Sequence, residues 1–105
     1  MKDPILKKFV EGIQLLRNKI KTIYLFGSRA RGSERPDSDY DLLLVVTPNF
    51  SRVDKNLLYD KVMDILLETG RLVSCKIFKS SEFKRLRGMQ TPFIQNVLRE
   101  GIKLG

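Results

Sequence analysis

Leu25-Phe26-Gly27-Ser28-Arg29-Ala30-Arg31-Gly32, followed after a short polar stretch by Ser38-Asp39-Tyr40-Asp41-Leu42, is the segment that decides the fold. An apolar run over 23–26 stops at Gly-Ser and enters an arginine-rich turn. Two aspartates then stand one residue apart at the mouth of a second apolar run, 42–46. The pattern reads strand, turn, strand. Side chains alternate along a strand, so Asp39 and Asp41 share one face and Tyr40 takes the other, packing under the sheet. Gly27 and Ser28 offer backbone N–H groups and a hydroxyl of the kind that cradle phosphate. Two hard carboxylates beside such a cradle suit Mg²⁺- or Mn²⁺-dependent phosphoryl transfer. Alone, a Gly-Ser turn is ordinarily only a turn, and an Asp-x-Asp pair only a solvated strand end. The order of the two carries the information.

Outward from this segment, helices and strands alternate. Asp3-Pro4 is a helix start, a capping carboxylate before proline at the first helical position. Ile5, Leu6, Phe9, Val10, Ile13 and Leu16 then recur at helical spacing, which predicts a helix fraying near Asn18. Residues 20–26 read as a strand, 28–31 as a short helical turn, 32–37 as a polar loop and 39–46 as a strand covered on both faces. Ser51 with Asp54 resembles a capping box, and Val53, Leu57, Leu58, Val62, Ile65 and Leu66 form the apolar stripe of a helix ending at Thr69-Gly70. A third strand is predicted over 72–78, and Ser80 or Ser81 caps a short amphipathic piece reaching Leu86. Thr91-Pro92 repeats the cap-plus-proline start, with Phe93, Ile94, Val97 and Leu98 toward the core until Gly101. The tail 102–104 adds a short edge strand. The expected class is α/β, a mixed sheet with helices packed against it.

The totals bound the function. With 105 residues, 42% of them hydrophobic and 30% charged, the chain is expected to form one domain over 1–105. No apolar stretch approaches the roughly 20 residues that span a bilayer, and no signal core opens the chain, so a cytoplasmic location is expected. One cysteine, Cys75, excludes an internal disulfide framework, and its alternation marks it as core filler. The absence of histidine removes imidazole acid–base catalysis and most zinc chemistry. The net charge of +8 is uneven: residues 1–35 and 71–105 each carry +6, and residues 36–70 carry −4. An acidic centre between basic flanks fits a metal site among groups that attract polyphosphate or nucleic acid. A solvated lysine-rich surface gives the same totals.

Gly27-Ser28-Arg29-Ala30-Arg31-Gly32 and Ser38-Asp39-Tyr40-Asp41-Leu42 together resemble the signature of the minimal nucleotidyltransferases of the DNA polymerase β-like superfamily. Pro92-Phe93-Ile94, Val97 and Glu100-Gly101-Ile102 echo that family's C-terminal helix and tail. The resemblance implies the polymerase β-like fold and transfer of a nucleoside monophosphate, with AMP from ATP the first choice, onto an acceptor oxygen with loss of pyrophosphate. It implies that Gly27 and Ser28 hold the triphosphate, and that Asp39 and Asp41 are the catalytic, metal-binding pair. Arg29 or Arg31 can neutralise the leaving pyrophosphate, or one of them can pin the loop to Glu34 or Asp37. It further implies a separately encoded helical HEPN-domain partner, with this chain the antitoxin that adenylylates it.

One position departs from the pattern. Active members of the wider superfamily carry a third carboxylate on the next strand, and alignment backwards from Ser81-Glu82-Phe83 puts Ser74 there. Lys76 shares its face. A base then comes from elsewhere, Glu82 or a partner, or the chain binds nucleotide and transfers poorly. Two other readings stay open: from Ser74, a nucleotide-binding module that neutralises a partner by docking alone, and from the +6 flanks, a nucleic-acid-binding or -modifying protein. Tyr24 is open between packing and adenine stacking, with packing the safer reading. The base, the acceptor and the oligomeric state are not legible.

Overall fold

A computed structural model of the chain describes residues 3–104. The chain opens with α1, Pro4–Gly12, where the Asp3 carboxylate accepts from the N–H groups of Ile5 (2.8 Å) and Leu6 (3.2 Å). The α-helix stops at Gly12 rather than near Asn18, and a 3₁₀ helix over Gln14–Lys19 completes the segment. Glycine is a poor helix former, and the tighter 3₁₀ turn eclipses residues three apart. Ile13 and Leu16 thus both reach the core while Leu15 stays in solvent.

β1, Ile20–Phe26, leads through α2, Ser28–Arg31, to β2, Tyr40–Val46. α3, Arg52–Thr69, crosses to β3, Val73–Lys79; α4, Ser80–Gly88, and α5, Pro92–Glu100, precede β4, Ile102–Leu104. The sheet order is β3-β2-β1-β4; β2 and β3 run parallel, and β1 is antiparallel to both of its neighbours. This is the mixed sheet with covering helices that the alternation predicts. Asp39 falls one residue before β2, and the predicted edge strand at 102–104 is present.

Strand alternation divides the core in two. Tyr40, Leu42, Leu44 and Val46 join Ile23 and Leu25 under α1 and α3, against Phe9, Leu58, Val62 and Ile65. Leu43 and Val45 face the other way, onto Phe83 of α4 and Ile94 and Val97 of α5. β2 is covered on both faces, so an unbroken apolar run forms it. Val53, placed in the α3 stripe from the sequence, is instead 75% exposed. The capping box turns its neighbour Asp54 inward, and at about 100° per residue that turns Val53 out. On α5, Ile94 and Val97 are buried, but Phe93 and Leu98 are exposed. Cys75 packs partly buried against the larger core, and burial pushes its thiol up to about 12.

Asp54 ties α3 to the start of the sheet. Its carboxylate accepts from the Ser51 N–H (2.8 Å) and hydroxyl (3.0 Å) and pairs with Lys19 Nζ at 2.9 Å. The Ser51 backbone N–H first, then Lys19, hold its pKa below the ordinary carboxylate value. Such a group binds fewer protons folded than unfolded. Its contribution is complete above about pH 4 and fades as pH falls through the depressed folded value. In thermal melts from pH 7 downward, Asp54→Asn should lower Tm at pH 7 and remove part of the acid-side decline seen in the unsubstituted chain.

Candidate active site

β1 and β2 meet in antiparallel register with Phe26 opposite Asp41. The residue after Phe26, Gly27, therefore passes directly over the Asp41 side chain. A Cβ on Gly27 would lie 2.5 Å from Asp41 Oδ2, and the backbone there has φ +76° and ψ −156°. That conformation is essentially confined to glycine. Both constraints, space and torsion, demand glycine at the turn, and together they hold the Gly27-Ser28 backbone against the carboxylate. The Ser28 hydroxyl has no hydrogen-bond partner among the described residues.

Asp41 is partly buried and Asp39 exposed, and neither forms a hydrogen bond or ion pair among the described residues. Desolvation, then the neighbouring charge of Asp39, raises the Asp41 pKa; Lys76 and Arg31 act in the opposite sense. Two carboxylates that repel each other at a half-buried strand entrance form a donor set suited to a hard divalent cation. Among the described residues no cluster of three or more acidic, histidine or cysteine side chains gathers there. Parallel pairing places Ser74 beside Asp41, so the neighbouring strand brings a hydroxyl to the pair and no third carboxylate.

The two arginines diverge. Arg29 Nε and Nη2 donate to the Ser38 carbonyl (3.1 and 2.7 Å), and its guanidinium lies 3.9 Å from the centre of the Tyr40 ring. Tyr40 in turn donates to Asp3 Oδ2 at 2.7 Å, and burial first, then Asp3, pushes its phenol up to about 12. Arg29 thus secures the loop before Asp39 by a carbonyl and a ring, not by Glu34 or Asp37, and sits over Tyr40 on the face opposite Asp41. Arg31 stays on the Asp41 side and approaches Glu100 at 3.7 Å.

Phe26, Gly27, Arg31, Phe93, Asn96 and Glu100 line a cleft of about 260 Å³ next to this turn. Phe26 and Phe93 meet edge to face, 5.4 Å between centroids. Sequence reasoning treated Phe93 as core and missed Asn96 and Glu100 as cleft residues. Their spacing, 93, 96 and 100, repeats at one helical face and is the signal that could have found them. Glu82 lies elsewhere: it accepts from the Lys79 N–H at 3.1 Å, and Lys79 pairs with Val46 at the far end of the sheet. Five strand residues, about 17 Å, separate that register position from Asp41, so Glu82 is no base for this site. Tyr24 stacks on Phe83 of α4 (6.1 Å), which answers its ambiguity at this site in favour of packing over adenine stacking.

With this geometry in place, comparison with known proteins identifies the class. The chain belongs to the family described as Polymerase beta, Nucleotidyltransferase, whose model matches residues 11–104, and it is a nucleotidyltransferase by that membership. Two proteins of Methanocaldococcus jannaschii that carry the name of candidate protein adenylyltransferases are similar to it. One is 32% identical, covering 94% of this chain and 93% of its own length; the other is 29% identical, covering 95% of each. A solved candidate minimal nucleotidyltransferase superposes with a TM-score of 0.56 at 30% identity, over 94% of this chain and 92% of its own. A toxin–antitoxin crystal structure with AMP-PNP shares the fold, with a TM-score of 0.56 at 22% identity over 94% of this chain and 71% of its own. Among the described residues no helix is long and apolar enough to cross a membrane.

The contact between Gly27 and Asp41 yields a structural test. Gly27→Ala should destabilise the chain by about 1–3 kcal/mol through backbone strain and displace the Asp41 carboxylate, read by denaturant unfolding and carboxyl NMR. Removing the neighbouring charge with Asp39→Asn should lower the Asp41 pKa only part of the way, because desolvation remains the larger cause. An unchanged Asp41 titration would break the assignment of the two carboxylates to one site.

Proposed function

We propose that the chain moves a nucleoside monophosphate, AMP from ATP, onto a separately encoded partner protein. The observation that carries this reading is the Gly27 backbone held against Asp41, with Asp39 one residue from β2. In it Gly27 and Ser28 hold the triphosphate, and Asp39 and Asp41 hold the divalent ion, Mg²⁺ or Mn²⁺. The ion supplies positive charge to the phosphate oxygens, with water and those oxygens completing its shell. Arg31, on the same side as Asp41, neutralises charge developing on the departing pyrophosphate. Phe26 and Phe93 offer the nucleoside an apolar wall. The relatives' description as protein adenylyltransferases supports AMP and a protein acceptor, and the toxin–antitoxin neighbour with AMP-PNP supports a toxin as that acceptor. A HEPN-domain protein is the partner proposed, with this chain as its antitoxin and 1–105 as one catalytic domain.

Labelled ATP, Mg²⁺ and the product of the adjacent gene provide the direct test. Label should pass to that protein, and Asp39→Asn and Asp41→Asn should each abolish transfer while leaving the melting curve intact. No transfer from the unsubstituted chain, or transfer undiminished in both variants, would refute the assignment.

A second reading, neutralisation of the partner by docking with little turnover, is favoured by Ser74. With a hydroxyl beside Asp41, the described residues gather no third carboxylate with the acidic pair to take the acceptor proton. A positioned general base ordinarily contributes about 10²–10⁴-fold. Ser74→Asp should therefore raise single-turnover transfer at least about tenfold with little change in nucleotide affinity. If Ser74→Asp leaves the rate unchanged, acceptor activation comes from the partner.

A further inference from the structure

A second groove, of about 590 Å³, lies on the α4 and α5 side of the sheet, toward the end of β2 away from Asp41. Lys21, Lys84, Arg87 and Lys103 line it, with Tyr24, Thr22 and Ser80 between them, and no carboxylate contributes. The fold gathers these cations from three separate elements. Lys84 and Arg87 are three apart on one face of α4. Lys103 stands opposite Tyr24 in the β4–β1 pairing. Lys21 is the extra residue where the β1–β2 register shifts between Ile20 and Thr22, and a bulge of this kind re-aims a side chain.

None of the four cations has a carboxylate within 4 Å among the described residues. The active-site cleft differs in this respect, since there Arg31 approaches Glu100. Four uncompensated positive charges around one hollow repel each other and attract a chain of negative charge. Two hydroxyls suit phosphate oxygens, and the partly exposed Tyr24, stacked on Phe83 in the same lining, puts an aromatic surface where an unpaired base can meet it.

We propose that this groove binds single-stranded nucleic acid through its phosphodiester backbone, as a site separate from the one built on Gly27 and Asp41. The two hollows share no lining residue: α5 lines the active-site cleft and α4 and β4 line the groove. The groove needs neither ATP nor the acidic pair, so its occupancy is measured without the transfer reaction and stands or falls apart from it.

A fluorescently labelled 12-nucleotide oligo(dT) strand, followed by anisotropy across a salt series without ATP, provides the probe. Log affinity should fall linearly with log salt, by about 0.7 for each phosphate contacted. Lys84→Ala/Arg87→Ala, at two exposed positions, should flatten that slope by about 1.4. Arg52→Ala/Lys55→Ala removes the same charge at the start of α3, outside the groove, and should leave the slope unchanged. Equal flattening by both double variants would reduce the effect to overall charge and overturn the site. So would the absence of binding at 50 mM salt, or equally tight binding of polyglutamate of the same charge. Equal affinity for duplex of the same length would overturn the single-strand assignment.

Discussion

The antiparallel pairing of β1 with β2 is the constraint on which the rest of the molecule depends. Its register sets Phe26 against Asp41, so the chain must leave β1 across the top of a carboxylate. Only a residue without a Cβ fits there, and only glycine readily adopts the torsions of the turn. The same pairing buries β2 between two helical layers, which makes the platform under the acidic pair rigid. A slip of one residue would turn Asp41 toward α3 and Tyr40 toward the cleft, exchanging an ionisable group with a core aromatic. The hydrophobic demand of the two cores and the chemistry of the site are thus met by one register.

Around this platform, charge is divided by side of the sheet. Beneath β2, Arg29, Tyr40 and Asp3 form a chain of contacts that fixes the loop carrying Ser38 and Asp39. That work commits Nε and Nη2 of Arg29 to the loop. On the other side, Arg31 and Lys76 lie close enough to oppose the rise in the Asp41 pKa without neutralising the carboxylate. The pair consequently keeps an unmet affinity for positive charge, within a surface that is elsewhere strongly basic.

The site is asymmetric in what it provides. The glycine turn and the acidic pair proposed to hold nucleotide and cation are present, and the adjacent strand meets Asp41 with a serine instead of a third carboxylate. Glu100, close to Arg31, does not enter an acidic cluster with the pair. Membership of the nucleotidyltransferase family and a reduced set of carboxylates are compatible if the acceptor brings part of its own activation. Electrostatic positioning of a phosphate chain does not require the third carboxylate, whereas proton removal from a neutral hydroxyl benefits from it.

The sequence by itself determined the strand at 20–26, the second strand to within one residue of its start, the Asp3, Ser51 and Thr91 caps and the glycine turn. Each is set by neighbours in the chain: alternation, capping hydrogen bonds and turn torsions act over a few residues. The place of Ser74 was legible only through the family resemblance, aligned backwards from Ser81-Glu82-Phe83, and the parallel register sets it beside Asp41. Local periodicity could not decide how Val53, Phe93 and Leu98 would face, since a helix turns its stripe to suit whatever it packs on. Nor could it separate Arg29 from Arg31, two residues apart in an apparently uniform basic turn. Tertiary structure sent one to a tyrosine ring and the other to the cleft, and it removed Glu82 from the site by the length of a strand. It also gathered Lys21, Lys84, Arg87 and Lys103, distant in sequence, around a single hollow. Those outcomes depend on which face of the sheet each element covers, and that is settled only when the whole core closes.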